Sequence, residues 1–460
     1  MRIDMSHYRS LLKKAMVDEF DVYTLRATVN EIQLRGFDVE AVREPVNAIG
    51  YTVRVLSREG DLIGIGSASC SEESRLDECI RKAKFFSTLN KQKLKYELPQ
   101  SKTSPRVSVV DNTIKDNPVD AISDYTTSVL DYLKGESQTD KPIKPTFGKI
   151  RTYLMETEIE NSAGLTKSKI ETYFYFELAL KVSEGTKLAE FWPRKYRRRI
   201  SDLKVEKFLP HWIKLTRDTL DAQVAPTGKM PVILNPESLC DAIVPTVGYH
   251  CGGDQKFKNQ TVFNKGDKVA SDELSITDDG LMDYGLSSAP FDDEGNPQQR
   301  TSIISDGVFK NFICDQKYAL MLGEQPTGNG LKPLGGMVNL LGKHLLPLAT
   351  SPTNISIEPG TTSFDDLVAD VKEGVLVEQF SWLNPDAFSS SFSSEIRNGY
   401  LIKNGEVKQP IKGGLVAGKI FDLIKNISCI SNSASIESGA TAFSIVSPHI
   451  RFENVQVAGR

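Results

Sequence analysis

Five histidines, His7, His211, His250, His344 and His449, are the imidazoles a metal site or a general base would draw on, and none lies within five residues of another. That spacing excludes a His-Glu-x-x-His helix. His250-Cys251 is the one adjacent His/Cys pair, followed by Gly252-Gly253-Asp254. Zinc requires three or four converging ligands, so a single pair after a helix reads more simply as a loop. Phe291-Asp292-Asp293-Glu294-Gly295 sets three carboxylates in a row ahead of Arg300 and the pair Asp306-Gly307. Adjacent carboxylates can bind a cation or orient a water. No nucleophile or base stands near them in sequence, and a structural acidic turn pairing with Arg300 is the simpler expectation. A hydrolase built from His250, Cys251 and residues 292–294 would need those side chains to converge in space. The serine-rich stretch 389–394 has no histidine beside it, so nothing points to a Ser-His-Asp site.

Two glycine patterns touch on phosphate binding. Gly413 to Lys419 matches most of a Walker A loop, but Ile420 stands where Ser or Thr would hold magnesium, and Pro410 precedes it. A turn into an amphipathic helix is the plainer reading. Gly64-Ile65-Gly66 lacks the third glycine of a dinucleotide fingerprint. The run Arg194, Lys195, Arg197, Arg198 and Arg199, interleaved with Trp192 and Tyr196, is the local basic patch that a nucleic-acid partner would use. Such a run joining a strand to a helix is also what a solvated connection or subunit contact looks like.

The 460 residues suggest about two to four domains. With 39% hydrophobic and 25% charged residues, wholesale disorder is excluded, and a net charge of −4 argues against bulk nucleic-acid binding. Six scattered cysteines (70, 79, 240, 251, 314, 429) form no Cys-x-x-Cys pair and are too few for a disulfide scaffold, so reduced thiols are expected. The first residues lack an apolar run of signal-peptide length, and no stretch approaches the roughly 18 apolar residues of a membrane span. A cytoplasmic protein away from membranes is expected.

Periodicity predicts a helix over 5–19, strands at 21–29, 31–43, 49–57 and 61–68, and a helix over 72–91, together a unit spanning 1–98. A polar connector leads to a unit at 112–222, with a helix over 118–134, strands near 149–160 and 165–183 turning at Asn161 to Gly164, and a helix over 201–221. The third unit, 226–460, opens with a strand at Met230–Leu234 and a helix starting at Pro236. It continues as strands with Asp306-Gly307 and Asn404-Gly405 hairpin turns, helices at 364–373 and 416–426, and last strands near 441–446 and 449–458. The fold class is α+β: N-terminal antiparallel sheet with flanking helices, and a large, mostly antiparallel β C-terminal domain.

Taken in order, these segments resemble the TldD/PmbA family, also called modulators of DNA gyrase. The resemblance rests on PVILNPE at 231–237, PFDDEGNPQQRTSIISDGVFKNFICD at 290–315 and PTGNG at 326–330. It is extended by PTNISIEPGTTSFDDLVADVKEGVLVEQF at 352–380, NGYLIKNGEVKQPIKGGLVAGKIFDLIKNI at 398–427 and SPHIRFENVQVAG at 447–459. The motif residues Phe291, Asp292, Asp293, Glu294, Gly295, Arg300, Asp306 and Gly307 are its most specific part.

The resemblance implies a zinc peptidase in one branch, with His-Glu-x-x-x-His on the helix after the Pro-Val strand and a later cysteine ligand. Here Pro245 stands at the first histidine, Thr246 at the general-base glutamate, and only His250 matches the second ligand. Pro245 is also expected to disfavour a continuous helix. The third-ligand region reads Ser438-Gly439-Ala440-Thr441, and Cys429 falls in a different segment. The chain is therefore similar to the PmbA/TldE branch, which lacks the metal site. That similarity implies no catalytic residue and no cofactor. It implies partnership with a TldD-like zinc peptidase subunit, or a homodimer, around a cavity that takes unfolded peptide. An active peptidase with a degenerate site and a nucleic-acid-associated regulator are the competing readings.

Overall fold

Two strands long enough to cross a whole domain set up the N-terminal half. In a computed structural model describing residues 5–89, 91–100, 102–139, 141–334, 340–440 and 443–459, Glu19–Arg35 and Asp38–Glu59 pair antiparallel over almost their full length. The break expected near residue 30 is a register shift between Val29 and Glu31, and the chain turns instead at Gly36, at φ +62°. The extra residue lies on the partner strand, between Arg43 and Val46, and Glu19–Arg35 keeps unbroken register with Lys144–Asn161 through Asn30, so the strand continues past the expected break. The expected strands 21–29 and 31–43 are thus corrected to one strand and its partner. The helix expected over 5–19 ends at Lys14.

Among the described residues, eight strands form the N-terminal sheet. Its centre is Glu19–Arg35, paired with Asp38–Glu59 on one side and with Lys144–Asn161 on the other. The 1–98 and 112–222 segments therefore share one continuous sheet. Asn161 makes the next turn: its side-chain oxygen accepts from the backbone N–H groups of Ala163 and Leu165, and Gly164 takes φ +88°. Helices Pro118–Glu136 and Val205–Thr219 bury Ile122, Val129, Leu133, Leu209 and Trp212 against Phe174 and Phe176 of the strand Thr166–Glu184. Elsewhere the sheet presents Tyr23, Leu25, Val29, Tyr153, Met155 and Tyr173, which pack with Leu286, Phe291, Leu340 and Phe443 of the C-terminal half.

The C-terminal sheet has eleven strands among the described residues. Gly228–Leu234 pairs parallel with Glu373–Phe380 and antiparallel with Ile445–Ala458, so Gly228–Leu234, Glu373–Phe380, Ser391–Lys403, Leu415–Lys419 and Ile445–Ala458 close into a ring. Closure removes edges and encloses Val232, Leu234, Val375, Val377, Ile396, Val416 and Val457. Asp306-Gly307 and Asn404-Gly405 lie in the left-handed region (φ 49° and 71°; 49° and 76°), as two-residue hairpins require.

Three expectations for this half are corrected. Residues 413–419 lead into no long helix: Gly413 and Gly414 turn the chain and Leu415–Lys419 is a ring strand, leaving a helix only at Ile420–Lys425. The helix expected at 364–373 stops at Ala369, because Glu373 begins a strand. The final segments are one strand, Ile445–Ala458, hairpinned with Ile427–Glu437; residues 441 and 442 lie outside the described residues.

Candidate functional site

Helix Pro236–His250 is capped by Asn235, whose side chain accepts from the Ser238 N–H, and starts with Pro236, whose missing N–H costs nothing at that position. Contrary to expectation, it runs unbroken through Pro245. Proline removes one backbone bond and costs about 3 kcal/mol in a helix interior. Leu239, Cys240, Ala242, Ile243 and Val247, each no more than 1% exposed, hold the helix in the core and outweigh it. Pro245 and Gly248 face a cavity of about 260 Å³ between the two halves of the protein. The N-terminal sheet contributes Lys169, Glu171 and Tyr173 to its wall, and the C-terminal half adds Lys332 from a loop and Lys343 from the 3-10 helix Leu340–Leu345.

The residues present do not fit a zinc ion. Pro245 has no donor, and Thr246 donates its hydroxyl to the Ala242 carbonyl at 2.7 Å. His250 is fully buried, with rings of Phe263, Phe388 and Phe421 about it. Its Nδ1 accepts the Val262 backbone N–H at 3.1 Å, which leaves the proton on Nε2, donated to the Phe388 carbonyl at 2.9 Å. Burial pushes its pKa below the usual value, against the pull of that carbonyl. Both ring nitrogens are thus engaged by backbone. Cys251 is buried, its thiol aimed at the Gly248 carbonyl and pushed far up by burial. Of the third-ligand stretch, Thr441 lies outside the described residues. Gly439 packs so closely on Asp241 that a Cβ would lie 2.1 Å from its Oδ1, and Ala440 N–H donates to Asp241 Oδ2. Among the described residues, no three His, Cys, Asp or Glu side chains are placed to hold a metal. The side chain of His7 is outside the described set.

The acidic turn is elsewhere and differently occupied. Asp292 accepts three backbone N–H groups, from Glu294, Asn296 and Gly330. Burial, with Glu294 close by, pushes its carboxyl well up. Asp293 accepts the Lys332 N–H and pairs with Lys343 at 3.0 Å and Lys169 at 3.6 Å. Burial would raise its carboxyl, but those two ammonium groups hold it below the usual range. Glu294 pairs with Arg54 at 2.9 Å and accepts the Gln316 N–H. Gly295 turns at φ +94°. Phe291 packs into the interface cluster. Arg300 does not pair with this turn: its side chain is 70% exposed and its nearest carboxylate is Asp279, at 3.6 Å. The turn's carboxylates are paired within the fold, and in place of the expected Arg300 the cations come from the N-terminal sheet and from Lys343. His250, Cys251 and the 292–294 carboxylates have separate partners, and no contact joins them among the described residues.

The basic run is mostly internal. Arg198 is fully buried, pairs with Glu171, and donates to the carbonyls of Gly285, Leu286 and Ser288. Lys195 and Arg197 pair with Glu437, and Arg199 with Asp202. Four of the run's five cations are thus paired with carboxylates of the fold among the described residues.

Sequence reasoning missed the cavity's charged wall. Lys169 and Glu171 share one face of the strand Thr166–Glu184 with Tyr173, and the two-residue period of that strand is the signal that could have found them. Lys332 sits in a loop and Lys343 in the short 3-10 helix Leu340–Leu345, neither of which carries a periodic pattern. Lys332 is buried, with its ammonium on the Leu346 carbonyl at 2.7 Å, and burial lowers its pKa to about 8, partly opposed by Asp293.

A sequence profile described as the PmbA/TldA metallopeptidase C-terminal domain matches residues 227–459. The chain is 29% identical over 240 residues to a metalloprotease TldD homolog of Haemophilus influenzae, a match covering 52% of this chain and about half (48%) of that relative's length. It is 24% identical over 430 residues to a metalloprotease of Methanocaldococcus jannaschii, covering 89% of each. The crystal structure of TldE from Thermococcus kodakarensis superposes with a TM-score of 0.83 over 99% of both chains at 21% identity, and shares the fold. No helix among the described residues is long and apolar enough to cross a membrane. With the profile spanning the whole C-terminal half, this chain belongs to the PmbA/TldD family.

Proposed function

We propose that this chain is a metal-free, non-catalytic subunit of a TldD/TldE-type peptidase system, forming cavity wall and subunit interface around unfolded peptide in the cytoplasm. The observation that carries the reading is His250: the one residue matching a ligand position has both nitrogens bonded to backbone, beside a proline and a threonine where the chemistry needs a ligand and a base. Hydrolysis at a zinc centre requires a Lewis acid and a base for the water, and these positions supply neither. The partner in this reading is a family member carrying His-Glu-x-x-x-His, with a homodimer on the same surface when it is absent.

The test is digestion of an unfolded polypeptide by the purified chain, by a His-Glu-x-x-x-His relative, and by both together. Cleavage that appears or increases only with the relative supports the proposal. Zinc-dependent cleavage by this chain alone overturns it in favour of an active metal-dependent peptidase with a degenerate site, and the metalloprotease names of its relatives favour an active peptidase.

A further inference from the structure

A second cleft lies away from the cavity, at the N-terminal end of helix Pro236–His250. Its volume is about 360 Å³, and its walls include Trp192, Arg194, Trp382 and Arg397. The tryptophans are unusual for their exposure, 45% and 52%. Trp192 is set edge-on against Phe147, with ring centroids 6.1 Å apart, so its position is fixed although its face is wet.

The carboxylates around the cleft are already engaged. Glu237 pairs with Lys195 at 3.2 Å, and Lys195 also holds Glu437. Glu378 pairs with His211 at 3.3 Å, and this bond raises the His211 pKa. Asp241 accepts the Ala440 N–H, and Glu177 takes the Tyr175 hydroxyl. Arg194 and Arg397 are different. Both are half-buried, and among the described residues neither has a carboxylate within ion-pair distance. A guanidinium drawn partly out of water without an anion has lost hydration that no fold partner replaces, and a carboxylate fits it bidentately.

We infer that this cleft binds a peptide carboxylate, with Arg194 and Arg397 taking the anion and Trp192 and Trp382 covering the adjoining apolar part of the chain. Unfolded peptide offers that group from two sources, an Asp or Glu side chain or the free C-terminus. The inference rests on the peptide-handling part of the proposed function and adds to it a preference by charge, at a site distinct from the cavity.

The experiment is titration of the full chain, followed by tryptophan fluorescence, with four flexible peptides of one length. One has internal acidic residues and an amidated end, one has Asn and Gln in their place with a free end, one has both, and one neither. The inference expects either carboxylate source to tighten binding about ten-fold over the neutral amidated peptide, weakening with added salt. R194Q/R397Q should abolish that difference, and W382F should report loss of part of the signal while the preference stays. Preference for the internal acid or for the free end identifies the source. Neutral and acidic peptides binding equally well, or R194Q/R397Q keeping the preference, overturns this inference and leaves peptide handling intact. Failure of all four to bind overturns both.

Discussion

The C-terminal end of helix Pro236–His250 and the acidic turn Phe291–Gly295 are the two places where residue types suggest chemistry, and their side chains are occupied in opposite ways. The helix end is poor in donors, and its one imidazole is fixed between two backbone groups. The turn is rich in carboxylates, yet every one is matched: Asp292 by backbone N–H groups, Asp293 by Lys343 and Lys169, Glu294 by Arg54. Charge at the turn holds the two halves of the protein together, whereas the helix end opens on the space between them. Residue identity alone ranks the turn as the better catalytic candidate. Partners weaken that ranking, because Asp293 and Glu294 are already held by cations of the fold and Asp292 by backbone N–H groups.

The largest way to break this contrast is D293A. It would leave Lys343 and Lys169 buried without their shared anion, and about 3–5 kcal/mol of stability should disappear in denaturant titration. A change below 1 kcal/mol would mean that the turn is not the clamp described. Next is H250A, which opens a void among Phe263, Phe388 and Phe421 and strands the Val262 N–H and Phe388 carbonyl. About 2–3 kcal/mol is expected, and zinc content should not change. Loss of bound zinc on this substitution would instead make His250 a ligand.

A third variant sharpens the comparison from the other side. P245H/T246E restores two side chains of the motif, but His250 remains bonded to backbone, so the variant should take up no stoichiometric zinc on dialysis. Stoichiometric uptake would show that the His250 bonds yield readily. A smaller effect concerns pH. Burial, with Glu294 nearby, raises the Asp315 carboxyl to about 7. The folded chain then holds a proton that the unfolded chain releases. This group's contribution is present below its ordinary pKa near 4 and is lost as pH rises through about 7, at up to about 1.4 kcal/mol per pH unit. In D315N, which keeps a capping oxygen for Tyr318 N–H, the stability-versus-pH slope between about 4 and 7 should flatten. An unchanged slope would remove Asp315 from the account.

Much of this was legible in the residues, for local reasons. Asp306-Gly307, Asn404-Gly405 and Asn161 to Gly164 each specify their turn through left-handed backbone or an Asx bond, with no help from distant chain. Pro245 and Thr246 are read in the same direct way as side chains that offer a metal no imidazole and a water no carboxylate. Where longer-range packing decides, the pattern misled. The helix crosses Pro245 because of the core around it, and Leu415–Lys419 is a strand because the ring needs it between Ser391–Lys403 and Ile445–Ala458. The partners of Asp293 and Glu294 come from residues 54, 169 and 343, separations over which no spacing rule operates.

The most direct test of the central claim is zinc stoichiometry by mass spectrometry on the purified full-length chain after dialysis against zinc and then against metal-free buffer. The account predicts substoichiometric zinc, equal in the wild-type chain and in H250A. One zinc per chain that disappears in H250A would contradict it.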